Sequence, residues 1–94
     1  MTMQERVAEA YRQAIAEIFG VSDIPKDAAY PLDYEEGRLV TINTAPVSAG
    51  IPHPGDSPQT QARWFDVDTR VKELTGLDVA HIPVGKVIVD IEIY

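Results

Sequence analysis

Cysteine is missing from this sequence, so neither a disulfide framework nor a thiolate metal site is open to it. Positive charge is scarce: eight Lys and Arg stand against fifteen Asp and Glu, a net charge of −7. Such a chain repels phosphate backbones and anionic lipid, which argues against direct nucleic-acid binding and against a membrane surface. No hydrophobic run approaches the ~18 residues of a membrane span. The opening Met1–Val7 has an early acid and no apolar core, unlike a signal peptide. With no disulfide staples either, a cytoplasmic protein is expected. Catalytic signatures are also lacking: there is no G-x-S-x-G, no phosphate-cradling glycine loop, and no H-x-x-x-H or H-E-x-x-H.

What is present belongs to an ordinary globular chain. The 94 residues are 45% hydrophobic, enough for one domain spanning 1–94 with one core. Folding at this length buries roughly 60–65% of the unfolded chain's surface, so stability is modest unless a partner adds burial.

The clearest element comes first. Thr2 and Glu5 form a capping box, and Met3, Val7, Tyr11, Ala14, Ile15 and Ile18 recur at the spacing of one helix face. Gly20 supplies the left-handed stop, so residues 3–19 read as a helix. From Val21 to Gly37 two X-Pro steps and the acidic stretch Asp33-Tyr34-Glu35-Glu36 read as irregular chain and a turn. Arg38–Thr44 alternates and is rich in β-formers, which predicts a strand. Residues 45–57, with three prolines and two glycines, read as a loop anchored by Val47 and Ile51.

Ser57-Pro58 is a helix start, and Trp64, Val67, Val71 and Leu74 share a face, so residues 58–75 read as the second helix. A competing parse makes Ala62–Val67 a strand. Asp66 with Arg70 and Asp68 with Lys72 have the spacing of helical ion pairs. The terminal Lys86–Tyr94 reads as a one-sided strand with Val87, Val89, Ile91 and Ile93 inward. Asp78–Val84 reads as another, joined through Gly85-Lys86 and confined by Pro83 to a sheet edge. The order α-β-loop-α-(β)-β fits an α+β fold: two helices packed on one face of a small, mainly antiparallel sheet. The exposed side of Arg38–Thr44 or of Lys86–Tyr94 offers a second copy something to pair with, which makes a homodimer plausible.

The two histidines would need Asp56, Asp66 or Asp68 to complete a metal site; the plainer reading is an exposed loop residue at His53 and a hydrogen-bonded one near the core at His81. Ser57 is better explained as a cap than as a nucleophile, and the acids at 33–36 as a solvated turn than as an acid–base pair. No cofactor is implied. Trp64 and Phe65 are adjacent on a helix and so point about 100° apart, one to the core and the other to a groove or partner.

Two functions fit. The first is a non-enzymatic interaction or inhibitor protein whose acidic surface suits a basic, or nucleic-acid-binding, protein partner. Small acidic domains of this composition occur among phage and mobile-element inhibitors that mimic nucleic-acid charge. The second is a dimeric domain that binds or sequesters a nucleotide or metabolite. The residues expected to meet the partner or ligand are Tyr34, Glu35, Glu36, His53, Asp56, Arg63, Trp64 and Arg70.

Overall fold

The computed structural model describes residues 1–22, 24–35, 38–45 and 50–94, with side chains given outside 32–39. The chain runs α1 (Met3–Phe19), β1 (Ala29–Glu35), β2 (Arg38–Asn43), α2 (Pro58–Thr75), β3 (Val79–Val84) and β4 (Ile88–Ile93). The four strands form one sheet in the order β1-β2-β4-β3 with every pairing antiparallel, and both helices contact it. This is the α+β arrangement anticipated from the periodicities.

Both helices begin and end on the chemistry their sequences carry. The Thr2 hydroxyl accepts from the Glu5 N–H at 3.1 Å while the Glu5 carboxylate accepts from the Thr2 N–H at 3.3 Å. The Ser57 hydroxyl accepts from the Thr60 N–H at 3.1 Å, and Gly20 and Gly76 close the two helices at φ 70° and 72°. Val7, Tyr11, Ala14 and Ile15 of α1 and Trp64, Val67 and Val71 of α2 bury completely against Val40, Ile42, Val89 and Ile91 of the sheet. Met3, assigned to that same face of α1, lies at its exposed end.

Several expectations are corrected. Residues 29–35 are not irregular but form a strand, pairing Ala29 with Ile42, Tyr30 with Thr41 and Pro31 with Val40. Of the two prolines that suggested broken chain, Pro25 precedes the strand and Pro31 is compatible with an edge strand, where proline's missing N–H has no ladder partner to satisfy. The pairing of Glu35 with Arg38 likewise extends strand through Asp33-Tyr34-Glu35, where the sequence read a turn. Val87 does not start the last strand; it sits exposed in the turn before Ile88. The two helical ion pairs are absent because other partners win. Arg70 reaches Glu17 at 2.8 Å and Glu73 at 3.3 Å, Lys72 reaches Asp78 at 3.3 Å, and Asp68 points inward. Glu36 and Val47 lie outside the described residues, as do the side chains of Tyr34, Glu35 and Arg38.

The strand order decides which strands have free edges. Arg38–Asn43 and Ile88–Ile93 are the two inner strands, so neither offers an edge to a second copy. Tyr94 N–H donates to Asp78 O at 2.8 Å. With the β3–β4 register, that bond aims Ala80, Ile82 and Val84 at β4 and leaves Val79, His81 and Pro83 facing outward. Pro83 has no N–H to offer, and the His81 N–H is taken at a long 3.4 Å by the Asp68 carboxylate. On the opposite edge, Asn43 N–H donates to Ala28 O at 2.7 Å, which turns Ala29 and Pro31 outward, and Pro31 again has nothing to donate. Both edges are thereby poor templates for strand addition.

Candidate functional site

Asp68 is the residue that the sequence reading misplaced most. It lies one helical turn beyond Trp64 and on the same face as Val67 and Val71, so its carboxylate is driven into the core. There Oδ1 accepts from the Tyr11 hydroxyl at 2.7 Å, and Oδ2 bonds His81 Nδ1 at 2.6 Å. One carboxylate therefore ties α1, α2 and β3 together. The His81 and Asp68 side chains are 2% and 7% exposed. Trp64 and Phe65 close over the imidazole, with centroid separations of 5.8 and 5.0 Å. A general acid or base must come within hydrogen-bond reach of its substrate, and this one is roofed by aromatic rings. The arrangement is a buried polar tie that fixes helix and strand positions, in which each carboxylate oxygen is satisfied.

Burial first, then the Asp68 charge and the hydrogen bond to it, push the Tyr11 phenol far above its ordinary value. A phenol whose folded value exceeds its unfolded value near 10 leaves stability intact below pH 10 and erodes it above. Denaturant unfolding from pH 9 to 11.5 should therefore show the wild type losing about 1.4 kcal/mol per pH unit above pH 10 through this one group. A Tyr11→Phe variant starts less stable and lacks that slope, so the two curves converge. Parallel curves would show that Tyr11 ionises freely in the folded protein.

The eight residues picked from the sequence do not form one site. His53 and Asp56 are together in a tight turn: Asp56 Oδ2 accepts from the His53 N–H at 3.1 Å and His53 Nδ1 accepts from the Gly55 N–H at 3.0 Å. The neutral ring therefore carries its proton on Nε2, which faces Ile88 O at 3.2 Å. His53 is buried rather than exposed, because this turn pins the loop onto β4. Trp64 is entirely buried; its Nε1–H donates to Pro52 O at 2.9 Å and its ring tilts against Phe19 at 5.8 Å. Phe65 takes the outward place and is 57% exposed.

Arg63 donates to Ile18 O at 3.0 Å and lies 5.3 Å over the Phe19 ring. Arg70 is held by Glu17, whose carboxyl sits below the usual range because Arg70, and then Gln13, hydrogen-bond it. Both arginines thus bind the helices to each other and do not converge on a ligand. Tyr34 and Glu35 belong to β1, at the far side of the sheet from β3. Among the described residues no group of three His, Asp or Glu is placed to hold a metal ion, and no helix is long and apolar enough to cross a membrane.

A surface the sequence reading did not single out is the side of the sheet away from the core cluster. Alternation places Tyr30, Thr41, Asp90 and Ile82 in one row across it, with Asn43, Ile88 and Val84 in the next. Ala80, Glu92 and Tyr94 continue it toward the other end. Thr41 donates to Asp90 at 3.0 Å, and both are buried at the centre of this face. Around them Tyr30, Ile82, Val84 and Tyr94 are 37%, 36%, 40% and 72% exposed. At one end Tyr94 donates to Glu92 at 2.8 Å, and Asp78 stands close enough to help raise the phenol's pKa, after that hydrogen bond. The face is apolar toward Val84; at the other end Glu92 stands opposite Arg38 in the register and Asp78 is paired with Lys72 at 3.3 Å. The signal in the sequence was the odd apolar residues, Ile82, Val84 and Ile88, falling in phase with Asp90 and Glu92 rather than with the core.

Comparison with known proteins finds no matching family model, no matching curated protein and no matching solved structure.

Proposed function

We propose that the protein is a non-enzymatic, cytoplasmic binding domain that docks on a protein partner through the helix-free face of its sheet. The observation that carries this reading is the ring of exposed Tyr30, Ile82, Val84 and Tyr94 on that face. The net charge of −7 favours a basic partner over an acidic one. The buried tie of Tyr11, Asp68 and His81 serves this function indirectly by holding the strands that display the face.

The test is an affinity capture from the source cell's lysate at low and high salt, with the captured proteins identified by mass spectrometry. A variant carrying Ile82→Lys and Val84→Lys, positions 36% and 40% exposed, is run beside the wild type once a thermal melt shows that it is folded. The expected result is a basic protein retained by the wild type at low salt, weakened at high salt and lost from the variant. Equal capture by wild type and variant would remove the sheet face from the interaction.

A further inference from the structure

Both histidines of this fold are buried, and acid acts on them differently. His81 Nδ1 meets the Asp68 carboxylate at 2.6 Å, so the ring donates to it whether neutral or protonated. His53 Nδ1 instead meets the Gly55 N–H at 3.0 Å, which only a lone pair on that nitrogen can accept. Its Nε2 faces Ile88 O at 3.2 Å, where it donates. His53 therefore fits its turn as the neutral ring alone.

A proton on Nδ1 would set two N–H groups against each other and place a charge at a position 6% exposed. The turn has no slack to absorb this. Gly55 packs so closely that a Cβ there would stand 3.0 Å from Nδ1 and 3.2 Å from Cε1.

The charged groups of the neighbouring elements are engaged elsewhere. Asp56, in the same turn, directs Oδ2 to the His53 main-chain N–H at 3.1 Å. On α2, Asp68 is bonded to Tyr11 and His81. On β4, Asp90 is bonded to Thr41 at the helix-free face, and Lys86, just before that strand, is exposed. Among the described residues the histidine paired with a carboxylate is His81.

We propose that His53 is an acid-released latch, in which protonation of its ring at Nδ1 opens the turn at residues 53–56. The latch is closed while the ring is neutral and opens as pH falls through the range in which histidines titrate, about pH 8 to 5. The second pin of the loop, the Trp64 Nε1–H to Pro52 O bond at 2.9 Å, holds no titrating atom and stays. The opening is thus local, confined to the turn between Pro52 and the Ser57 cap of α2.

The test is NMR on the isotope-labelled full chain between pH 8 and pH 5. Ring nitrogen shifts read the His53 tautomer, and the exchange of each amide, relative to its rate in an unstructured peptide, reads the turn. The expected result is a proton on Nε2 at pH 8, with Gly55 protection falling at least tenfold as the His53 ring titrates. Amides of α1 and β2 should keep their protection over the same range. His53→Asn is the companion variant, because its side-chain oxygen can accept from the N–H two residues on but does not titrate. Its Gly55 protection should be the same at both ends of the pH range. A proton on Nδ1 at pH 8 would overturn the proposal, as would flat Gly55 protection or an equal loss in α1 and β2. So would an Asn variant that loses protection in parallel with the wild type, since acid would then be acting elsewhere. Should the Asn variant fail to fold, the wild-type tautomer and the match between ring titration and Gly55 protection still decide.

Discussion

Replacing Asp68 by Ala should cost about 3 kcal/mol, because it strands the Tyr11 hydroxyl and the His81 ring in the core at once. A domain of this size has only about 5–14 kcal/mol of stability to lose. At roughly 4–8 °C per kcal/mol, the melting temperature should fall by about 12–24 °C. Asp68→Asn is the informative companion. Its carbonyl oxygen can still accept from Tyr11, and its amide can donate to His81 Nδ1 once the ring moves its proton to Nε2. What it cannot do is also accept from the His81 backbone N–H, so it should fall between wild type and Ala. A calorimetric scan of the three proteins at pH 7 decides this. An Ala variant within 1 kcal/mol of wild type would mean that water or a side-chain shift replaces the carboxylate, and the tie would lose its structural role.

Trp64→Ala should have an effect of the same order or larger, about 3–5 kcal/mol, since it empties the largest fully buried side chain in the core. The consequence is also local. The Trp64 Nε1–H is a direct bond from α2 to the loop at Pro52, and the ring packs on both Phe19 and His81. Without it the Gly55 and Asp56 amides, which bond His53, should exchange with solvent faster than those of β2 and β4. Trp64→Phe keeps much of the volume but leaves Pro52 O unpaired, so it separates packing from the hydrogen bond. Hydrogen exchange followed residue by residue measures this directly. Uniform acceleration across the whole chain would show that Trp64 supports global stability alone and does not hold the loop.

The helices were readable because each carries its own start, stop and apolar face: Thr2 with Glu5, Ser57 with Pro58, Gly20 and Gly76 are local signals. The Arg38–Asn43 and Ile88–Ile93 strands were readable for a similar reason, by their alternation. The strand from Ala29 to Glu35 was not, since its proline and acids are poor β-formers and its identity comes from pairing with β2. The buried tie was half legible. His81 was placed near the core with a hydrogen bond, but Asp68 was assigned to a surface ion pair although it shares the face of Trp64, Val67 and Val71. An acid at a core-facing helical position is a signal that spacing alone contains. Its partners, 57 residues away at Tyr11 and 13 away at His81, are not. The helix-free face became visible only once the register showed which apolar residues point away from the helices.

The strand order has a consequence during synthesis. The strand made after the other three of this sheet, β4, occupies its middle, between β2 and β3. Until it leaves the ribosome, the β2 edge that pairs with it has no strand beside it, and Val40 and Ile42 lack the Val89 and Ile91 side chains that share their core. Ile88 follows Asn43 by 45 residues. At roughly 5–20 residues per second that edge waits about 2–9 s for its partner. The nascent chain therefore passes through a window in which its aggregation hazard is an unfinished sheet interior, and emergence of β4 closes it.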